Sequence, residues 1–424
     1  MPASLRRPPF LHPRGLWRHP NFLKLWLGQT VSEIGSHITR EGLPLTAVIV
    51  LGATPFPMRV LASLSGMSTL VFGPLAGLWV DRRRRRPILI AADIGRAVVL
   101  ASVPLAAAFR VLHMRQLYVV AALAGILTVF FDVAYQSYLP SLVERQRVLE
   151  GNSKLALSTS MAEIVGPGLT GVLVQLITAP IAILVDALSF LWSAMMVWLI
   201  RKPELIPAPQ AERRFWHEVA AGLQTVAGHP VQRAIARHAA TGSFFIGFFL
   251  SLYVLYAIQY LRISPAVLGV VIAVGGAANM LGALLAGRLV RRFGVGNMLI
   301  GSMLLLGAAA LMVPAAHGSV LTATVFLVAA QLGDVGWPIY NINELTLRQA
   351  ITPKDLLGRV NAVMQMLIRG VFPVGSFCGG ALASAIGVRP TLTVGALGFL
   401  GSSLWLVFSP VRTLRAYPAV AVTT

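Results

Sequence analysis

Five consecutive arginines, Arg82 to Arg86, stand between two long apolar stretches. Five adjacent cations are too costly to place in hydrocarbon, so the run has to sit at an aqueous face. Leu75-Ala-Gly-Leu-Trp-Val-Asp81 leads into it as the apolar end of one helix, and the sequence turns apolar again after Pro87. The run therefore caps a joint between two membrane spans. A weaker copy lies 210 residues later, as Leu285-Ala-Gly-Arg-Leu-Val-Arg291-Arg292. Two related membrane halves, each with this element after its second span, follow from that spacing. Gly166 with Gly171 corresponds to Gly375 with Gly380, and Asn152 to Asn361, all at an offset of 209.

The apolar stretches decide the fold class. Hydrophobic residues make up 56% of the 424 residues and charged residues only 12%, which excludes an ordinary soluble chain. Continuous apolar runs of about 20 residues ask for helices, whereas the strands of a membrane barrel would alternate. The expectation is an all-α integral membrane protein with twelve transmembrane helices in two six-helix bundles. The spans are expected near 22–51, 58–80, 88–109, 115–138, 155–178, 180–200, 234–261, 266–290, 296–316, 319–346, 357–386 and 389–410. The organisation is then a tail over 1–21, a first bundle over 22–200, a linker over 201–233, a second bundle over 234–410 and a tail over 411–424. Phe215, Val219, Leu223 and Val226 recur at helical spacing in the linker, which predicts an amphipathic helix on the membrane surface.

Charge fixes the expected orientation. If the odd-numbered joints face outward, 27 of the 35 Lys and Arg fall in inner joints and tails, five in outer joints and three within spans. Both termini are then cytoplasmic, in a multi-pass protein of the inner (cytoplasmic) membrane. On this reading the net charge of +20 is a topology signal, and no nucleic acid is implied. The first 20 residues are basic and proline-rich without an apolar core, so no cleaved signal peptide is expected. The single Cys378 leaves no intrachain disulfide or cysteine-based metal site. There is no Gly-x-x-x-x-Gly-Lys loop, no zinc-protease histidine pair and no Gly-x-Ser-x-Gly turn, so neither an enzyme, a metal nor a cofactor is expected.

Ionisable residues inside spans carry the functional signal, because each costs at least about 2.5–3.5 kcal/mol at mid-bilayer unless solvated or paired. In the first span Glu33, His37 and Glu41 repeat every four residues and Arg40 lies one turn beyond His37, so the four share a face. Asp132 in the fourth span and Glu163 in the fifth complete the candidate set for a cavity and for proton exchange. Asp93 and Arg96, three apart, read first as a paired scaffold charge; Asp186, Asp334, Glu344 and Arg369 are further intramembrane charges. Gly166-Pro167-Gly-Leu-Thr-Gly171 predicts a bend in the fifth helix, since Pro167 removes a backbone donor.

These residues resemble the major facilitator superfamily. Gly77-x-x-x-Asp81-Arg82-x-x-Arg85-Arg86 is similar to its loop 2–3 motif, with Arg84 where the pattern usually has glycine. Gly166-Pro167 followed by Gly171 resembles the fifth-helix motif of its exporters. Leu25 through Gly35, Asp81 through Arg96, Tyr138-Leu-Pro140, Ile164 through Gly168 and Asp186 through Phe190 resemble the branch with enterobactin exporters and macrolide-efflux proteins. The resemblance implies a monomeric secondary transporter working in the bilayer by alternating access, with a hydrophobic or amphipathic small molecule exported against protons. It also implies that Gly77, Asp81, Arg82, Arg85 and Arg86, with Arg359 at the start of the eleventh helix, form a conformational latch. An importer or facilitator of the same fold, or a membrane sensor that does not transport, fits the residues as alternatives.

Overall fold

Backbone N–H and C=O groups have no water to bond in hydrocarbon, so a spanning chain must satisfy them within helices or a closed barrel. In the computed structural model, which describes residues 16–80, 83–144, 147–202, 204, 215–353 and 356–417, helices answer that demand and no described residue lies in a strand. The first six are α1 (Pro20–Ile49), α2 (Pro55–Val80), α3 (Arg85–Ala108), α4 (Met114–Leu142), α5 (Val148–Ile177) and α6 (Ala179–Trp198). A shorter helix, α7 (Phe215–Gly228), precedes α8 (Pro230–Leu255), which ends in a π-helical turn, Tyr256–Tyr260. Then come α9 (Pro265–Phe293), α10 (Val295–Ala310), α11 (Met312–Ala315), α12 (Val320–Leu332), α13 (Gly336–Ile351), α14 (Leu357–Ile386), α15 (Val388–Ser402) and α16 (Leu404–Val407).

Ten helices among the described residues are long and apolar enough to cross a bilayer, counting α10 with α11, α12 with α13 and α15 with α16 as single spans. Neither α1 nor α2 is among the ten; α1 carries Lys24, Glu33, Arg40 and Glu41. Three expected spans are interrupted, the one over 389–410 at Ser403. The stretch over 319–346 breaks at a 3-10 turn, Gly333–Val335, and the stretch over 296–316 breaks at Leu311. The breaks at Gly333–Val335 and Leu311 lie three to five residues ahead of a proline, Pro338 or Pro314, whose ring clashes with the carbonyl four residues back.

Contacts divide the chain into two compact units: Met1–Leu43 with Val71–Pro209, and Pro44–Leu70 with Gln210–Thr424. In the first, α3 packs on α4 and α6, and Leu16, Phe22, Leu89, Phe131, Tyr138, Val197 and Ile200 form the core. In the second, α8 packs on α14 and α15, and α13 on α9 and α10, around Ile235, Leu299, Leu347, Val360 and Leu406. The segment over 44–70 is part of this second unit. Its Arg59 guanidinium lies between the rings of Phe56 (3.7 Å) and Phe377 (4.5 Å), and Ser63 donates to the Pro373 carbonyl at 3.2 Å.

The 209-residue repeat is visible within each unit. A Cβ added at Gly166 of α5 would lie 2.5 Å from the Cβ of His37 on α1, and one at its counterpart Gly375 of α14 would lie 1.9 Å from the Phe244 carbonyl on α8. Glycine at both positions lets the paired helices approach closely.

The amphipathic helix forms as α7 and packs on the start of α14, where a Cβ at Gly222 would lie 2.7 Å from the Arg359 carbonyl. Its buried face holds Gly222 and Val226, while Leu223 is 48% exposed. The face turned inward therefore follows the smallest residue, which permits the closest approach, and not the full apolar set. The side chains of Phe215 and Val219 lie outside the described residues.

Candidate functional site

Two faces of α1 organise the first unit. Gly28, Gly35 and Gly42, seven residues apart, meet Met196, Ser189 and Ile183 of α6. At about 100° per residue, Gly35 and His37 point to nearly opposite sides of the helix. The second side faces α5: His37 is 4% exposed and backs onto Gly166, and Thr30 bonds Ser158 at 3.0 Å.

The acids predicted on this second face come together with those of α4 and α5. Glu163 on α5 interacts electrostatically with both Arg40 and Glu33. Arg40 also interacts with Glu41 and His37, and Tyr135 on α4 interacts with Glu33 and Asp132. Arg40, Asp132 and Glu163 are exposed, Glu33 and Glu41 half-buried, and His37 buried. Helices α1, α4 and α5 thus converge four carboxyls, one arginine and a tyrosine. Chemically, such a set can bind a cation, exchange a proton, or hold a polar group of a ligand.

Behind it, on the glycine side of α1, lies a buried polar network. Asp186 of α6 accepts from Thr39 of α1, and from Ser189 at 3.0 Å; Gln29 donates to Ser193 at 3.3 Å. Asp93 pairs with Arg96, whose guanidinium lies 4.2 Å from the Phe131 ring and 4.0 Å from the Phe190 ring. Asp93 and Asp186 are both 0% exposed, and Asp186 interacts with Arg96 as well. The expected pairing of Asp93 with Arg96 is present. That one arginine serves two buried carboxyls emerges only from the packing.

Helix α5 runs unbroken through Pro167, which is buried with Gly166 and Gly171. Pro167 has no N–H to give the Glu163 carbonyl, so the backbone acceptor freed is that of Glu163 itself. Thr170, one turn on, donates its hydroxyl to the Gly166 carbonyl at 2.8 Å.

Of the expected latch residues, Asp81 and Arg82 lie outside the described residues. Gly77 lies in the last turn of α2, and Arg85 and Arg86 open α3. There Glu204 accepts from the Arg85 backbone N–H (2.8 Å), the Arg86 N–H (3.1 Å) and the Arg85 guanidinium (3.4 Å). Glu204 thus caps the helix from within the linker, a role with no local sequence signal. Arg86 also donates to the α6 carbonyls of Val197 (3.2 Å) and Trp198. Arg359 lies in the first turn of α14, under α7.

The Major Facilitator Superfamily profile matches residues 25–376, and the chain belongs to that family. It is 25% identical to an uncharacterized MFS-type transporter, YfiS, of Bacillus subtilis (strain 168), over 97% of each chain. It is 24% identical to macrolide efflux protein A of Streptococcus pyogenes, over 87% of this chain and 90% of the relative. To the enterobactin exporter EntS of Citrobacter koseri it is 23% identical, over 95% of both. A crystal structure of a variant of the nucleoside transporter NupG shares the fold, with a TM-score of 0.75 at 11% identity, covering 92% of this chain and 98% of that one. The resemblance to the branch with enterobactin exporters and macrolide-efflux proteins stands.

Proposed function

We propose that this transporter is a proton-coupled exporter of hydrophobic or amphipathic small molecules, using Glu33, His37, Arg40, Glu41, Asp132 and Glu163. One observation carries the reading: Glu41 of α1 and Glu163 of α5 both lie within electrostatic reach of Arg40. With more acid than base in the group, a carboxyl can bind and release a proton without leaving an isolated charge in a poorly solvated place. A cationic or polar substrate group competing for the same carboxyls would release that proton, and the proton would release the substrate. Substrate and proton then occupy the unit alternately, which is the requirement for exchange. Relatives named for macrolide efflux and enterobactin export support the outward direction and the substrate class.

The transporter works by alternating access as a monomer of twelve spans, both termini cytoplasmic. Of the bend elements, Gly166 and Pro167 sit one turn from Glu163 and Gly171 two turns. The latch is assigned to Gly77, Asp81, Arg82, Arg85 and Arg86, with Arg359. The test is efflux from a pump-deficient strain over a panel of macrolides, siderophores and lipophilic cations, with and without a protonophore. Glu33→Gln at unchanged membrane abundance is expected to abolish protonophore-sensitive efflux. Efflux with wild-type pH dependence in that variant would remove Glu33 from the mechanism.

A further inference from the structure

The four described arginines of the joint have different employments. Arg85 is held by Glu204, and Arg86 by carbonyls at the end of α6. Arg83 and Arg84 are exposed; the Arg83 guanidinium lies 4.8 Å over the ring of Trp79, and the Arg84 side chain makes no cap to α3. Trp79 packs edge-on against Phe130 of α4, with ring centroids 5.5 Å apart.

These two rings stand in the wall of a groove of about 430 Å³ between α2, α3 and α4, lined by Leu75, Trp79, Ile88, Ala91, Ala92, Leu127 and Phe130. Every lining residue is apolar. Leu75 is 54% and Trp79 43% exposed, so the groove opens outward along the helices. The volume falls within the range of small-molecule sites, about 300–1,000 Å³. An occupant has to be hydrocarbon along its length and anionic at the end where Arg83 and Arg84 emerge. A tryptophan with a cation above it marks that end as the membrane–water boundary.

We infer that the groove between α2, α3 and α4 is a binding site for one anionic phospholipid, its acyl chain along Leu75, Ala91 and Phe130 and its phosphate at Arg83 and Arg84. This rests on the chain lying in a membrane and not on the direction or coupling of transport. The second copy of the joint motif keeps Arg291 and Arg292 at the end of α9, and supplies an internal control for basic charge alone.

The test uses the full-length protein in nanodiscs of equal phosphatidylglycerol and phosphatidylcholine, with lipid retained on release read by native mass spectrometry. Wild type is expected to keep one phosphatidylglycerol in preference to phosphatidylcholine. The double variant Arg83→Gln, Arg84→Gln should lower that preference about thirtyfold, as expected for two surface cations. Ala91→Trp fills the groove without altering charge and should lower it as far; Ala91→Phe stands in if the tryptophan variant does not reach the membrane. Arg291→Gln with Arg292→Gln should leave it unchanged. The inference is overturned if wild type shows no preference, if filling the groove leaves retention intact, or if the Arg291 and Arg292 variant loses as much.

Discussion

Removing Arg96 is expected to damage the protein far more than removing the acid it pairs with. Arg96 is 4% exposed and Asp93 0%, and the arginine also faces Asp186 and the rings of Phe131 and Phe190. In Arg96→Met two carboxyls that are 0% exposed lose their common cation, and breaking a buried pair from one side costs about 3–5 kcal/mol. In Asp93→Asn the guanidinium keeps Asp186 and two aromatic faces, so the loss reduces to about 1–3 kcal/mol for one charged hydrogen bond. The double variant Asp93→Asn, Arg96→Met removes one charge of each sign and should fall below Arg96→Met in cost. Unfolding of the purified protein in mixed micelles, followed by tryptophan fluorescence, gives the four free energies of the cycle. Equal losses for the two single variants would refute the sharing of Arg96, and so would a double variant as unstable as Arg96→Met.

Three further outcomes follow from close contacts. Gly35→Ala places a Cβ 2.2 Å from Ser189 Oγ and 2.6 Å from Asp186 Oδ1, and should destabilise the first unit by about 1–3 kcal/mol in the same assay, with partial recovery in Ser189→Gly. Gly166→Ala should destabilise the packing of α5 on α1 in the same unfolding assay, and His37→Gly should recover that stability where His37→Ala does not, because the clash is with the His37 Cβ itself. Gly222→Leu should lift α7 from α14, and increased cleavage of the linker by added protease would report it; an unchanged digestion pattern would argue against the contact.

The membrane class, the repeat and the shared face of Glu33, His37 and Glu41 were legible because each depends on period or composition. The Pro314 and Pro338 interruptions were open to the same reading, yet hydropathy runs straight through them, since it records side chains and ignores backbone donors. The spacing of Gly28, Gly35 and Gly42 is plain in the sequence, but nothing local says which helix it faces. Thr39 and Asp186 are 147 positions apart, and only packing brings them together. Glu204 sits in a proline-rich stretch whose composition signals a tether, so its capping of α3 had no periodic trace.

Consider α1 as a shaft keyed to its neighbours on two sides half a turn apart. Gly35 is seated on Ser189 and Asp186 of α6, and Gly166 of α5 is seated on His37. A rotation of α1 by one residue, about 100°, would swing Ile34 or Ser36 into the place that Gly35 fits and carry His37 away from Gly166. The shaft therefore has no torsional freedom of its own between its neighbours. A change of charge at Glu33 or Glu41 cannot be relieved by spinning the helix to present another side. The force it generates is handed to α5 and α6 together, and the three helices can respond only by moving as one body.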